Sequence, residues 1–196
     1  MNTALKLDDY EVLLCVTGGI ACYKSADLAS KLVQAGAGVN VAMSDSATKF
    51  VGPVTFQAIS GRQTYTSLWQ QTATYESRHL SLTEQADLMI IAPCTANMLG
   101  KLASGQADDL ISTMALSAFG ECGILLAPAM NTRMWNAPPT QANVERLKAW
   151  GIHVIGPDTG RLACRTIGPG RMSEPLDILT KAAEILQHKP PKNRKA

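Results

Sequence analysis

The chain has 196 residues, of which 46% are hydrophobic and 17% charged, a makeup that suits one folded domain and excludes a disordered or collagen-like polymer. Its formal net charge is +2, and four of the 18 basic residues (Lys189, Lys192, Arg194 and Lys195) lie in the last eight positions. The 14 that remain face 16 acidic residues and only 5% of the chain is aromatic, so neither a polyanionic partner nor a base-stacking surface for nucleic acid is expected.

In chain order, residues 12–16 form a continuous apolar run, which reads as a strand buried on both faces. Residues 23–35 follow with helical spacing, Ala26, Leu28, Ala29, Leu32 and Val33 sharing a side, and Gly36 is a good C-terminal stop. A weaker strand is expected at 39–43. A helix precedes Leu88, and a second strongly apolar strand occupies 88–92. Helices at 96–103 and 109–119, rich in Ala, Leu and Met, lead to a third apolar strand at 124–127. A helix at 140–150 and a weak strand at 153–155 come next. Residues 156–175 carry four Gly and three Pro and are expected to form a surface loop or flap. A helix at 176–186 closes the pattern. The alternation predicts an open, doubly wound parallel α/β sheet, one domain over 1–188 followed by a basic, disordered tail over 189–196.

No apolar run reaches the length needed to cross a bilayer, and residues 1–10 hold Asp8 and Asp9 but no apolar signal core. Five cysteines (Cys15, Cys22, Cys94, Cys122 and Cys164) make an odd set without a CxxC pair. Reduced thiols in a cytoplasmic protein are therefore expected, with no metal site, no disulfide framework and no membrane partner.

Ligands in such sheets bind beyond the carboxyl ends of the strands. Here those ends lead into Thr17-Gly18-Gly19-Ile20, Ser44-Asp45-Ser46, Pro93-Cys94-Thr95-Ala96-Asn97 and Pro128-Ala129-Met130-Asn131. One loop of small polar residues makes a tight turn; four on one edge favour a shared pocket. Thr17-Gly18-Gly19 enters a helix whose free N–H groups suit a phosphate, with a plain strand-to-helix turn as the other reading. It is neither GxGxxG nor a Walker loop, which favours a mononucleotide such as FMN over a dinucleotide. His79, in Arg78-His79-Leu80-Ser81-Leu82, is either a structural residue or a general base. His153 and His188 are poorer candidates. Asn131 can donate to a carboxylate or cap the following turn. Cys164 lies on the flap, where a thiol can donate a proton. Arg161, Arg165 and Arg171 around it either draw an anionic substrate or form a solvated basic loop.

Together these motifs resemble the homo-oligomeric flavin-containing cysteine decarboxylases. The resemblance rests on Gly18-Gly19-Ile20-Ala21, on His79 to Leu82, on Pro93 to Asn97, on Pro128-Ala129-Met130-Asn131-Thr132-Arg133-Met134-Trp135, and on Ala163-Cys164 through Gly168-Pro169-Gly170-Arg171-Met172. It implies a flavodoxin-like or Rossmann-like three-layer subunit that binds FMN without a covalent bond. Gly18, Gly19, Ile20, Ser44, Thr95, Ala96, Asn97, Met98 and Ala129 would line the flavin. His79 would be the base, Asn131 would hold the substrate carboxylate, and Cys164 would be the proton donor. Met134, Ala163, Arg165 and Arg171 would complete the substrate site.

The flap is similar to that of the pantothenate branch of the family. The implied reaction is decarboxylation of 4′-phosphopantothenoyl-L-cysteine to 4′-phosphopantetheine in coenzyme A biosynthesis. It passes through oxidation to a thioaldehyde, loss of carbon dioxide and re-reduction. Homotrimers or homododecamers, and a separate phosphopantothenate-cysteine ligase, are implied alongside. Alternatives within the resemblance are a peptidyl-cysteine decarboxylase, a flavin prenyltransferase and a non-catalytic phosphatase-regulatory relative. Two departures stand out: the family's Ala-Cys-Gly-Asp flap reads Ala163-Cys164-Arg165-Thr166, and Met98 replaces a hydroxyl residue. Many relatives also carry a C-terminal synthetase; the resemblance implies that here it is a separate protein or that this sequence is a fragment.

Overall fold

The computed structural model describes residues 5–69 and 78–192. Six parallel strands form the sheet: β1 (Glu11–Val16), β2 (Gly38–Met43), β3 (Thr64–Tyr65), β4 (Leu88–Cys94), β5 (Gly123–Pro128) and β6 (His153–Val154), in the spatial order β3-β2-β1-β4-β5-β6. Without the two-residue edge strand β3 the order is the flavodoxin-like one, so the expected fold class is the observed one.

Strand alternation sends side chains into two cores. Val12, Leu14, Val16, Leu88, Ile90, Leu125 and Ala127 face one helical layer, built by α1 (Cys22–Gln34), α3 (Pro53–Ser60) and α9 (Pro175–Leu186). Leu13, Cys15, Met89, Ile91, Ile124 and Leu126 face the other, built by α4 (Arg78–Gln85), α5 (Ala96–Ser104), α6 (Leu110–Ala118) and α8 (Pro138–Ala149). Burial on both sides is why these strands read as unbroken apolar runs rather than alternating ones.

The helices differ from the sequence reading in informative ways. The buried stripe of α1 is Cys22, Ser25, Leu28, Ala29 and Leu32, while Val33 faces outward. The stripe rotates toward Ser25 because its hydroxyl donates to Ala92 O at 2.7 Å, tying the helix to β4. Gly36 follows the helix at φ +96°, the left-handed stop expected of it. Both α8 and α9 start earlier than the apolar pattern suggests, each with Pro in its first turn, where a fixed φ and a missing N–H cost nothing. The short helix α2 (Asp45–Thr48) and α3 were not anticipated, although Ser44 caps the first and Gly52-Pro53 opens the second.

The expected flap loop contains an antiparallel hairpin, β7 (Asp158–Arg161) paired with β8 (Ile167–Arg171). The tail expected to be disordered from Lys189 is instead held to the body as far as Lys192. There the backbone N–H donates to Asp87 at 2.8 Å and the ammonium to Glu84 O at 2.9 Å. Residues 193–196 lie outside the described residues. Among the described residues no helix is long and apolar enough to cross a membrane.

Candidate active site

The chain leaves β1 for β2 on one side and returns to β4 on the other, so the topological switch point lies between β1 and β4. A crevice opens there beyond the strand ends. Thr17 fastens the two rims. Its buried hydroxyl donates to Pro93 O at 2.7 Å and accepts from Thr95 N at 3.1 Å. Thr95 then caps α5, its hydroxyl accepting from Met98 N at 3.2 Å. The N–H groups of Ala96 and Asn97 are thus left without an intrahelical acceptor, as in any first helical turn, and both residues line the crevice, at a helix start that favours a phosphate. Thr17→Val would keep the side chain's volume and the backbone bond from Thr17 N to Pro93 O, but would strand Thr95 N. We expect a loss of about 1–3 kcal/mol, read as a lower denaturant midpoint with an unchanged slope.

Gly18 and Ser46 meet so closely that a Cβ on Gly18 would overlap the Ser46 side chain and backbone. Ser44 accepts from Ala47 N at 3.2 Å and so opens α2 on the same rim. These loops enclose a cavity of about 650 Å³ whose lining includes Gly18, Ser44, Thr95, Ala96, Asn97, Met98 and Ala129. Lys101 is on its wall but already neutralised by Asp108 at 2.7 Å and Asp109 at 2.6 Å. Beside it runs a groove of about 800 Å³, between the start of α1 and the flap, and the two spaces share Ala129 and Met130.

The expected site residues divide between these spaces. Gly19 and Ile20, expected with the cofactor, open onto the groove, together with Asn131, Ala163, Cys164, Arg165 and Arg171. Met134, expected with the substrate, lines the cavity. The reason is the turn at 18–21: it swings the chain from the crevice floor to the α1 side within two residues. His79 is the second residue of α4, but its side chain and residues 70–77 lie outside the described residues.

The flap is anchored at its base and exposed at its tip. Met130 N donates to Gly170 O at 2.9 Å, and Gly170, at φ +139°, passes so near Met130 O that no side chain could be accommodated. Lys24, almost buried, donates to Met172 O at 3.2 Å and pairs with Glu174 at 2.9 Å. Glu174 also takes Arg171 at 3.2 Å, and these cations hold its carboxyl below the usual range. Among the described residues Arg161 and Arg165 have no ion-pair partner, so their charge is available to an anion. Arg165 stands at φ +67°, a left-handed position where the resembled family carries Gly.

At the tip, Asn131 and Cys164 come together. Asn131 Oδ1 accepts from Arg133 N at 2.8 Å, capping the single-turn helix α7 (Thr132–Trp135), and this turns Nδ2 toward the groove, 3.1 Å from Cys164 Sγ. The cap reading of Asn131 is realised, while its amide donates to a sulfur. Cys164 Sγ also lies 3.0 Å from Thr166 Oγ1. Hydrogen bonding from Thr166 above all, and then from Asn131, lowers the pKa of the Cys164 thiol. The contrast with Cys15 and Cys94 is direct: burial in an apolar core drives those thiols upward and leaves them inert.

The sequence profile of the Flavoprotein family matches residues 2–187. The chain belongs to the Flavoprotein family. Within that family it is 46% identical over 176 residues to the coenzyme A biosynthesis bifunctional protein CoaBC of Bacillus subtilis, a match covering 90% of this chain and 43% of that protein. The chain therefore spans less than half the length of that relative. Among solved structures, a cysteine-to-serine mutant of PPC decarboxylase complexed with pantothenoylaminoethenethiol superimposes with a TM-score of 0.81. It is 29% identical, over 91% of this chain and 98% of that one. The FMN binding protein AtHal3 is also 29% identical, with a TM-score of 0.79 over 93% and 99%.

Three contributors escaped the sequence reading as site residues. Thr17 stood next to Gly18, but nothing in the sequence indicated its partners at Pro93 and Thr95. Lys24 was one lysine on an otherwise ordinary helix. The signal for Thr166 was present: a hydroxyl two residues after the flap cysteine.

Proposed function

We propose that this Flavoprotein-family chain binds FMN in the cavity and decarboxylates 4′-phosphopantothenoyl-L-cysteine in the adjoining groove, giving 4′-phosphopantetheine. The observation that carries the reading is the meeting of an exposed, hydrogen-bonded thiol and an amide donor, Cys164 and Asn131, in a groove that shares a wall with a nucleotide-sized cavity. The lining suits a flavin mononucleotide. Ser44 and the free N–H groups of Ala96 and Asn97 can hold a phosphate, while Lys101, spent on two aspartates, cannot add to it. FMN bound there would supply two-electron, hydride-transfer chemistry.

The chain's own residues orient and move protons. Asn131 keeps one N–H on Cys164 and has a second for the substrate carboxylate. His79 is assigned removal of the substrate thiol proton. Arg161 and Arg165, unpaired among the described residues, suit the terminal phosphate of the substrate. Arg171, tied to Glu174, steadies the flap instead. Cys164 gives its proton to the carbon that lost carbon dioxide. The hydrogen bonds on its sulfur favour the thiolate left behind. The substrate itself is the product of joining cysteine to 4′-phosphopantothenate, so a phosphopantothenate-cysteine ligase is the implied partner activity.

Two accompanying readings belong to the proposal. The exposed apolar side chains Ile20 and Tyr23 on the groove, and Phe50 and Val54 elsewhere on the surface, support assembly into homotrimers or homododecamers, checked by native mass spectrometry. Free cysteines, two of them fully buried in the β-sheet core, support a reducing, cytoplasmic setting. The central test is an absorption spectrum of the purified protein followed by mass analysis after incubation with 4′-phosphopantothenoyl-cysteine. Flavin bands and a product lacking carbon dioxide are expected. A colourless protein that takes up no FMN overturns the cofactor assignment, and a loaded protein that leaves the substrate intact overturns the substrate.

A further inference from the structure

Among the thiols of this chain, Cys164 alone is surrounded by polar donors, and the closest of these is not in the resembled family's pattern. Thr166 occupies the place where that pattern has Asp. The backbone brings it back onto the sulfur: Arg165 N donates to Leu162 O at 2.9 Å and Leu162 N to Thr166 O at 2.9 Å, closing the hairpin tip around Cys164. The left-handed conformation of Arg165 makes this reversal possible within one residue. The result is a sulfur held between Asn131 Nδ2 at 3.1 Å and Thr166 Oγ1 at 3.0 Å.

We propose that Thr166 is a positioning residue for the reaction. Its hydroxyl donates a hydrogen bond to the Cys164 sulfur once that sulfur has given its proton to the substrate. This rests on the proposed role of Cys164. In the step concerned the S–H bond of Cys164 breaks and a C–H bond forms at the carbon that has lost carbon dioxide. The electron pair of the broken bond stays on sulfur as a thiolate. No oxidant or reductant is consumed in this step, and the exposed thiolate recovers its proton from water. A hydroxyl can serve both states, accepting from S–H before transfer and donating to S⁻ after it. A carboxylate at the same place would repel the thiolate, so the exchange of Asp for Thr changes the sign of the neighbouring interaction. The lowered proton affinity of Cys164, with Thr166 as its main cause, agrees with this geometry.

The experiment compares Thr166→Val, Thr166→Ser and Thr166→Asp in the protein as purified with its cofactor. The first readout is the rate of Cys164 alkylation by iodoacetamide across pH, with the site located by peptide mass analysis. Thr166→Val should alkylate several-fold more slowly at neutral pH, with its profile displaced to higher pH. Thr166→Asp should be displaced further, and Thr166→Ser should return to the parent profile. The second readout is turnover: Thr166→Val should lower kcat for reduced product at an unchanged KM while carbon dioxide release continues. An alkylation profile unmoved in Thr166→Val overturns the role of Thr166 and leaves that of Cys164 standing. A displaced profile with unaltered kcat overturns the catalytic half of the proposal. Full turnover by Cys164→Ser would instead remove the underlying reading, whatever Thr166 does.

Discussion

Cys164→Ser is expected to release carbon dioxide from 4′-phosphopantothenoyl-cysteine while forming the reduced product roughly 10²–10⁴-fold more slowly, the usual contribution of a positioned general acid. A serine hydroxyl fits the same space between Asn131 and Thr166 but is a far weaker acid than a thiol. Oxidation and carboxyl loss do not use this group, so the ene-thiol intermediate should accumulate. Trapped carbon dioxide set against 4′-phosphopantetheine measured by mass spectrometry gives the ratio directly. Equal yields of the two in the variant would remove Cys164 from the mechanism.

The second large effect is expected at Gly18. Gly18→Ala places a methyl group onto the Ser46 side chain and within 2.8 Å of its carbonyl carbon, so the β1 loop and the start of α2 must part. Overpacking of this kind costs about 1–3 kcal/mol, which for a domain of this length lowers Tm by on the order of 2–12 °C. The same displacement widens the rim between Gly18 and Ser44, and flavin absorbance should be lost on gel filtration. Gly19→Ala is the internal control. Among the described residues nothing lies within 4 Å of a Cβ at that position, so it should keep both Tm and flavin. Equal behaviour of the two variants would show that this contact does not shape the cavity.

The parts of the fold that were legible in the sequence are those dominated by local composition. β1, β4 and β5 are unbroken apolar runs because helices cover both faces, and α1 stops where a left-handed glycine stops it. The edge strand β3 is two residues long and α2 is four, too short for any period to register. The flap strands carry Gly, Arg and Pro instead of alternating apolar residues. Their pairing is held by contacts to α1 and to the β5 loop that no local pattern contains. The same divide runs through the site. Glycines and a cysteine on a flap could be picked out one at a time. The bond from Thr95 to Thr17 joins residues 78 positions apart and that from Asn131 to Cys164 joins residues 33 apart, and only tertiary structure makes them neighbours.

The hydrogen bond from Met130 N to Gly170 O has a mechanical meaning. One hydrogen bond fastens the hairpin to the very partition that separates the two chambers. Displacement of the hairpin by a guest is therefore expected to move that wall, while the Lys24 and Arg171 contacts hold the far end of the flap. A guest in the groove should thereby alter how snugly the cavity holds its own.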